Sequence, residues 1–426
     1  MRFVFLTPGT GSFYCGSCVR DHALTEALRA DQHDVLHVPL YLPHMVDGID
    51  DSQGNPIFFG GINVYLQERV PVFRRTPEWL DRWFDSRWLL KKVAGRSGST
   101  SPHELGALTH SMLLGIRGHQ AKELQKLAAW LAEPAQRPDV IALSNILLAG
   151  MAGALREATG ARILCSLQGE ESFLQDLPEE WREKCWAALR EDLKDIDEFI
   201  APSQWFADQM RGHLGKELQP LHVVPNGVKQ AAVLERERSA EPVVIGYLAR
   251  LCELKGLPRL VEAFLALCDQ PGLPAVELHL AGTVTGRDTD LVEQLKQKIA
   301  GAGRTNQVQW RINLSADEKA GFLANLDLLS VPALYGEAFG LYVVEAWAAG
   351  VPTVQPRHAA FIELTEQTGA GWLFDPEVAD GYQAVLTSAI QNEDERKQRG
   401  QRGREAVAND FGLHRMVTRF LELAAG

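Results

Sequence analysis

Short apolar runs alternate with helical periodicities along most of this 426-residue chain. In the N-terminal half, runs at 2–7, 34–39, 62–70, 139–143, 162–167, 198–201 and 222–225 are rich in Val, Ile, Leu or Phe, with amphipathic stretches between several of them. Such alternation predicts a parallel sheet covered by helices on both faces, because a strand buried on both sides is apolar throughout. Between 73 and 135 the pattern is almost wholly helical and predicts an insertion on that sheet. Residues 229–242, from Lys229 to Pro242, are charged, lack a strand pattern and read as a hinge loop. A second alternation follows, with strands near 243–248, 276–281, 308–312, 327–332 and 351–354 and helices near 257–268, 289–301, 316–324 and 341–349. The last segment, about 405–425, reads as a helix that packs back across both domains. The expected division is therefore 1–220, 221–404 and a closing helix at 405–426 that returns to the first domain.

Length changes this picture little: 426 residues exceed one ordinary core and suit two domains of about 200 each. A net charge of -12 argues against a nucleic-acid partner, which calls for a basic face. Arg2 to Thr7 reads as a buried strand and not as a secretory signal. The longest apolar region, Val140 to Leu155, is interrupted by Ser144 and Asn145 and is too short to span a bilayer. Six cysteines do not make a disulfide framework at this length, so a reducing, cytoplasmic setting is expected.

The sharpest chemical signal runs from Asp327 to Gly350. An apolar strand enters a loop holding Gly336 and Gly340, and a helix begins near Leu341. A helix N-terminus offers free N–H groups and partial positive charge, which suit a phosphate or a sugar hydroxyl. Glu337 precedes that helix and Glu345 lies about one turn inside it; such carboxylates can accept hydrogen bonds from the diols of a sugar and a ribose. The plainer alternative is a carboxylate favoured by the helix dipole plus an ordinary helical Glu. A second signal is Gly246 to Gly256, where a strand ends in a loop bearing Arg250 and Lys255. Ligands of open α/β sheets bind at the carboxyl ends of strands, and two cations there can neutralise a departing diphosphate. Two solvated surface cations are the alternative.

Glu337 to Glu345 resembles the E-x7-E element of family 4 of the retaining glycosyltransferases. Arg250-Leu-x-x-x-Lys255-Gly256 resembles that family's phosphate-binding segment, and Val224-Pro225-Asn226-Gly227-Val228 its turn into the second domain. Order, spacing and strand context agree over residues 200–380. The resemblance implies a GT-B fold, in which two Rossmann-like domains face each other across a cleft, with a helical insertion in the first. It places the acceptor in the first domain and a nucleotide-diphosphate-sugar donor in the second, with no metal and no further cofactor. It implies that Glu337 contacts the donor sugar beside the N–H groups of Phe339 and Gly340, with Leu341 and Asn226 also at the donor. Glu345 would then hold the ribose diol, and Arg250 and Lys255 the diphosphate.

The sequence departs from the family pattern in three places. Gln168, in Ser166-Leu-Gln-Gly-Glu-Glu-Ser-Phe173, stands where a His is expected to face the donor sugar; it can donate a hydrogen bond but carries no proton. Ala359-Ala360 replaces a Gly-Gly pair ahead of Glu363, and Lys229 replaces the Asp after the Pro-Asn-Gly-Val turn.

Other constellations are less pointed. Gly9, Thr10 and Gly11 follow the first strand and form a candidate ligand-cradling loop, but Phe13, Tyr14 and Cys15 before Gly16 break the dinucleotide fingerprint. Cys15-x-x-Cys18, with His22 beyond it, lacks the second cysteine pair of a zinc site and reads better as tight loop packing. Asp195-x-Asp197 and Asp288-x-Asp290 are triplets common by chance. Residues 73–96 place Trp79, Leu80, Trp83, Phe84 and Trp88 on one helical face, with seven basic side chains against three acidic. That face either docks on its own domain or lies on an anionic membrane, in which case the acceptor is lipid-linked and the protein peripheral at the inner membrane face.

Sugar transfer is the leading expectation. A nucleotide-sugar epimerase or hydrolase on the same fold is one alternative. A non-catalytic sugar-nucleotide-binding or partner subunit is another, favoured by Gln168 and Ala359-Ala360 and opposed by Glu337, Glu345, Arg250 and Lys255.

Overall fold

Alternating strands and helices form two parallel six-stranded sheets, each with its own helical cover. The structure is a computed structural model that describes residues 1–8, 16–41, 45–46, 49–50, 58–59, 67–68, 102–215, 218, 220–230 and 241–426. The chain divides into one unit of Met1–Val224 with Met416–Gly426 and a second of Pro225–Arg415.

The first sheet holds β1 (Arg2–Thr7), β2 (Asp34–Pro39), β3 (Val140–Leu143), β4 (Arg162–Ser166), β5 (Glu198–Ala201) and β6 (Leu221–Val223), in the order β2-β1-β3-β4-β5-β6. Phe3 is in register with Val35 on one side and Val140 on the other. Its described helices are α1 (Gly16–Ala30), α2 (Pro102–Leu113), α3 (Ala121–Ala132), α4 (Ala152–Thr159), α5 (Glu170–Gln175), α6 (Glu179–Asp192) and α7 (Gln204–Leu214). The helices α2 and α3 fall within the expected insertion; the aromatic, basic segment 73–96 lies outside the described residues.

The second sheet holds β7 (Val243–Leu248), β8 (Val276–Gly282), β9 (Val308–Ile312), β10 (Leu328–Ser330), β11 (Thr353–Pro356) and β12 (Gly371–Phe374), in the order β9-β8-β7-β10-β11-β12. All six residues of β7 are buried, as a strand covered on both faces requires. Around it stand α8 (Leu257–Cys268), α9 (Thr289–Gly301), α10 (Ala316–Ala324), α11 (Leu341–Ala348), α12 (Ala360–Thr368), α13 (Gly381–Gln391) and α14 (Glu393–Asn409), and the chain closes with α15 (Leu413–Ala425). Helix α8 shows why these segments are helical. Pro258 sits in its first turn, where a missing N–H costs nothing, and Leu257, Leu260, Val261, Phe264 and Leu267 line one buried stripe. Each such side chain contributes roughly 1.5–3 kcal/mol by leaving water. Helix α10 starts with a capping box, in which Ser315 N–H donates to Glu318 Oε2 at 2.9 Å.

The C-terminal helical pattern resolves into two helices and not one. Val228 donates to Phe411 O and accepts from Leu413 N–H, both at 2.9 Å, and so takes the backbone groups that would have joined α14 to α15. The Pro-Asn-Gly-Val turn is thereby anchored inside its own unit. From Met416 on, α15 belongs to the first unit, where Phe420 stacks on Phe5 with ring centroids 5.5 Å apart and Leu423 O accepts from Arg162 Nε at 3.1 Å.

In both sheets the strand order reverses next to the first strand of the unit, between β1 and β3 and between β7 and β10. Chains leaving adjacent strands in opposite senses open a crevice at their carboxyl ends, the usual ligand position in open α/β sheets. At the end of the second sheet lies a strained residue. Ala359, which precedes α12, has φ 53° and ψ -146°, a region that suits glycine. Such a conformation costs about 1–3 kcal/mol, while glycine returns about 0.4–1 kcal/mol to the unfolded chain, so Ala359→Gly should stabilise by about 1 kcal/mol. Scanning calorimetry should show a midpoint about 2–4 °C higher; an unchanged or lower midpoint would show that Ala359 is not strained.

Candidate functional site

The loops leaving β7 and β10 meet at the switch point of the second sheet. Tyr247 is fully buried, and its hydroxyl donates to Arg250 O at 2.7 Å. Leu251 N–H donates to Thr283 O at 2.9 Å, tying the same loop to the end of β8. A single 3-10 turn, Glu253–Lys255, then delivers Lys255. Gly256 follows at φ +73°, where an added Cβ would lie 2.0 Å from Pro332 O. Leu334 N–H donates to Leu254 O at 2.9 Å, so the two loops are stitched by backbone alone.

That stitching brings the charged side chains together. Lys255 Nζ pairs with Glu337 Oε1, with the two side chains 17% and 12% exposed. The ammonium also stands 4.9 Å from the centre of the Tyr335 ring and 5.6 Å from that of Tyr342. Burial, and then the neighbouring Glu337 carboxylate with which it hydrogen-bonds, push the Tyr335 phenol up; it stays protonated and donates. The Tyr342 hydroxyl is buried without a hydrogen-bond partner among the described residues. Arg250 is about half exposed, its Nε 3.9 Å from Asp288 Oδ2, which in turn accepts from Thr285 Oγ1 at 2.5 Å.

Helix α11 has Gly340, at φ +83°, as its N-cap, with no side-chain cap there, and the Val343 N–H of its first turn donates to Gly340 O at 2.9 Å. Phe339 is buried, its ring 6.2 Å from that of Phe411. Glu345 lies on the same helix, and its Oε1 accepts from Lys319 Nζ at 2.6 Å. Its Oε2 is buried with no hydrogen-bond partner among the described residues. An orphaned carboxylate oxygen costs the full desolvation of that atom unless a ligand supplies a donor. Asn226 is buried in the second unit, in the turn that Val228 anchors.

Gln168 belongs to the first unit, at the carboxyl end of β4. Its N–H donates to Glu170 Oε2 at 2.6 Å, while Glu170 Oε1 accepts from Ile146 N–H at 2.9 Å beyond β3. One buried carboxylate thus ties the ends of two adjacent strands. Burial pushes the Glu170 carboxyl up, against the pull of the N–H groups of Gln168, Ile146, Glu170 itself and Gly169. In the same layer Arg20 donates to Ser166 Oγ at 3.1 Å and stands 3.2 Å from Asp21 Oδ1. Gly9, Thr10, Gly11 and Cys15 lie outside the described residues; Cys18 is buried.

The sequence singled out Arg250, Lys255, Glu337 and Glu345, and the structure sets all four on the second unit. It missed Tyr335, Tyr342, Lys319 and Glu170, and set Asp288 aside as part of a chance triplet. Tyr335 stands two residues before the E-x7-E element and Tyr342 lies inside it. Lys319 is one exposed-looking cation on a helix in another part of the chain, and only coordinates join it to Glu345. Among the described residues no group of three or more His, Cys, Asp or Glu side chains is placed to hold a metal, and no helix is long and apolar enough to cross a membrane.

Comparison with known proteins bears on the family and the fold. The pattern of glycosyl transferases group 1 matches residues 232–406, and that of glycosyltransferase family 4 matches 92–231. The chain belongs to the group 1 glycosyltransferases of family 4 type, and its fold is GT-B. It is 29% identical over 219 residues to the MMP alpha-(1->4)-mannosyltransferase of Mycolicibacterium hassiacum, a match spanning 51% of each chain, about half the length of that relative. It is 26% identical over 347 residues to the D-inositol 3-phosphate glycosyltransferase of Arthrobacter sp., covering 78% of both. Among solved structures, Anabaena Alr3699/HepE in complex with UDP and glucose is similar over 100% of this chain and 99% of its own, with TM-score 0.67 and 16% identity.

The Glu170 tie carries a pH signature. Because its folded value is raised, its contribution to stability is fully present below pH 4.5 and is lost as the pH rises through the lifted value. Thermal midpoints measured from pH 4.5 upward should fall less steeply in Glu170→Gln than in the unaltered protein. Parallel profiles would show that Glu170 does not titrate with folding.

Proposed function

We propose that the chain is a retaining glycosyltransferase that takes a sugar from a nucleotide-diphosphate donor bound in the second unit. The observation that carries this reading is the junction of two loops at the switch point, which sets Lys255 against Glu337 with Arg250 on the same loop. Arg250 and Lys255 take the diphosphate and offset the charge that grows on it as the bond from the anomeric carbon to phosphate oxygen breaks. Glu337 accepts hydrogen bonds from the sugar, beside the N–H groups of Phe339, Gly340 and Leu341. The open Glu345 Oε2 accepts from the ribose diol, while Lys319 holds the other oxygen in place. Asn226, on the same unit, completes the donor contacts as a neutral hydrogen-bonding group.

The two cations supply the positive charge that a metal would otherwise bring, so a metal-independent reaction with no cofactor is proposed. The acceptor is an unidentified hydroxyl compound, and a lipid-linked one with peripheral membrane contact rests on the basic aromatic segment 73–96. A cytoplasmic setting rests on a cysteine count too low for a disulfide framework at this length.

Calorimetry and thermal shift against UDP, GDP, ADP and their sugar conjugates test the reading. One nucleotide should bind in the micromolar range, and Arg250→Ala should lose that binding. With an acceptor in hand, Arg250→Ala or Lys255→Ala should slow kcat by about a hundredfold or more, and Glu345→Ala should act mainly through donor KM. Turnover should persist in EDTA. Binding without any turnover would move the non-catalytic sugar-nucleotide-binding reading to first place, and turnover of donor alone the epimerase or hydrolase.

A further inference from the structure

The Lys255–Glu337 contact joins the two groups that the donor reading assigns to different parts of one ligand. Both are largely out of water, at 17% and 12% exposure, and each is the other's charge partner. The pair is braced from both ends. Tyr335 hydrogen-bonds with Glu337, and the rings of Tyr335 and Tyr342 flank the ammonium at 4.9 and 5.6 Å. Removing one member of such a pair leaves the other charge poorly solvated, which costs far more than the intact pair contributes.

We propose that this pair is a selectivity latch, closed in the free protein and opened only by a ligand that serves both of its halves. The inference rests on the donor-site reading and adds how that site tells an intact donor from a spent one. A nucleoside diphosphate draws Lys255 away but leaves Glu337 with the Tyr335 hydroxyl alone, and it adds negative charge nearby. An intact sugar nucleotide gives Lys255 a phosphate oxygen and gives Glu337 sugar hydroxyls at the same time. Diphosphate and sugar therefore bind with positive coupling, although each touches a different residue. Once the sugar has been transferred, Glu337 reclaims Lys255 and the diphosphate loses one of its two cations. Arg250 takes no part in this exchange: its carboxylate neighbour is Asp288, on the loop after β8, and it is about half exposed. Glu345 is likewise independent, since its partner is Lys319.

The test is titration calorimetry of the full chain with UDP, GDP and ADP, and with UDP-glucose, GDP-mannose and ADP-glucose. In Glu337→Gln, which keeps the side chain's shape, the diphosphate should bind about tenfold tighter, the worth of one charge-assisted contact, and the sugar conjugate weaker. The unaltered protein supplies a second reading that needs no variant: a large excess of free glucose or mannose should tighten its diphosphate binding severalfold. A folded Glu337→Gln that binds the diphosphate no more tightly overturns the latch, and so does a diphosphate affinity indifferent to free sugar. In either case the donor site stands if the unaltered protein binds a conjugate. Binding of none of the six probes by the unaltered protein overturns both.

Discussion

Gly256 and Pro332 approach so closely that a methyl group on Gly256 would sit 2.0 Å from the Pro332 carbonyl oxygen. Strands β7 and β10 are neighbours, with Leu328 beside Ile245, and chains leaving neighbouring strands at a reversal of order ordinarily diverge. Here they are drawn back together by a left-handed glycine and by the hydrogen bond from Leu334 to Leu254. The position of Lys255 opposite Glu337 follows from that backbone contact. So does the flanking of Lys255 by Tyr335, which comes three residues after Pro332 on the same loop. A side chain at 256 would part the loops, and the cation and carboxylate would each return to water.

The framework beneath this junction is apolar and does not depend on the charges above it. Tyr247, Leu260, Phe264, Val343 and Trp347 belong to one continuous buried cluster beneath it. Against that background the pairs Lys255–Glu337 and Lys319–Glu345 are weak contributors to stability, since well-packed apolar replacements of buried ion pairs are often neutral or favourable. Two buried orphans, Tyr342 Oη and Glu345 Oε2, are outright costs.

The parts of the fold that could be read from the chain are those whose burial leaves a clean period. β1, β2, β7, α8, α9 and α10 begin and end where the apolar pattern does. β12 and the helices α12 to α14 were not legible. β12 is four residues long and opens on a glycine, and α14, from Glu393 to Asn409, is so polar that it looks like a solvated loop. Its buried face is made of Gly400, Gly403, Ala406 and Val407, with Arg396 reaching the carbonyls of Ala389 and Ile390; two glycines, one alanine, one valine and a buried cation leave no long hydrophobic stripe to detect. The site divides in the same way. Groups held by local loops, Arg250, Lys255 and Glu337, stand in recognisable strings, whereas Lys319 and Asp288 come from elsewhere in the chain and are joined to the site only by folding.

The departures from the family pattern acquire physical meaning from the backbone. Ala359 occupies a conformation made for glycine, which explains why glycine is expected there and shows that this chain keeps the geometry while bearing its strain. Position 168 is the reverse case. The loop after β4 is held by the Gln168 N–H on Glu170 and by Glu170 on Ile146, and both bonds are indifferent to the side chain at 168. Exchanging histidine for glutamine at such a point alters the chemistry on offer without moving the loop. What the chain lacks there is a group able to carry a proton, and what it keeps is a hydrogen-bonding side chain on an unchanged scaffold. Any sugar transfer by this protein must therefore proceed without a titrating side chain at 168.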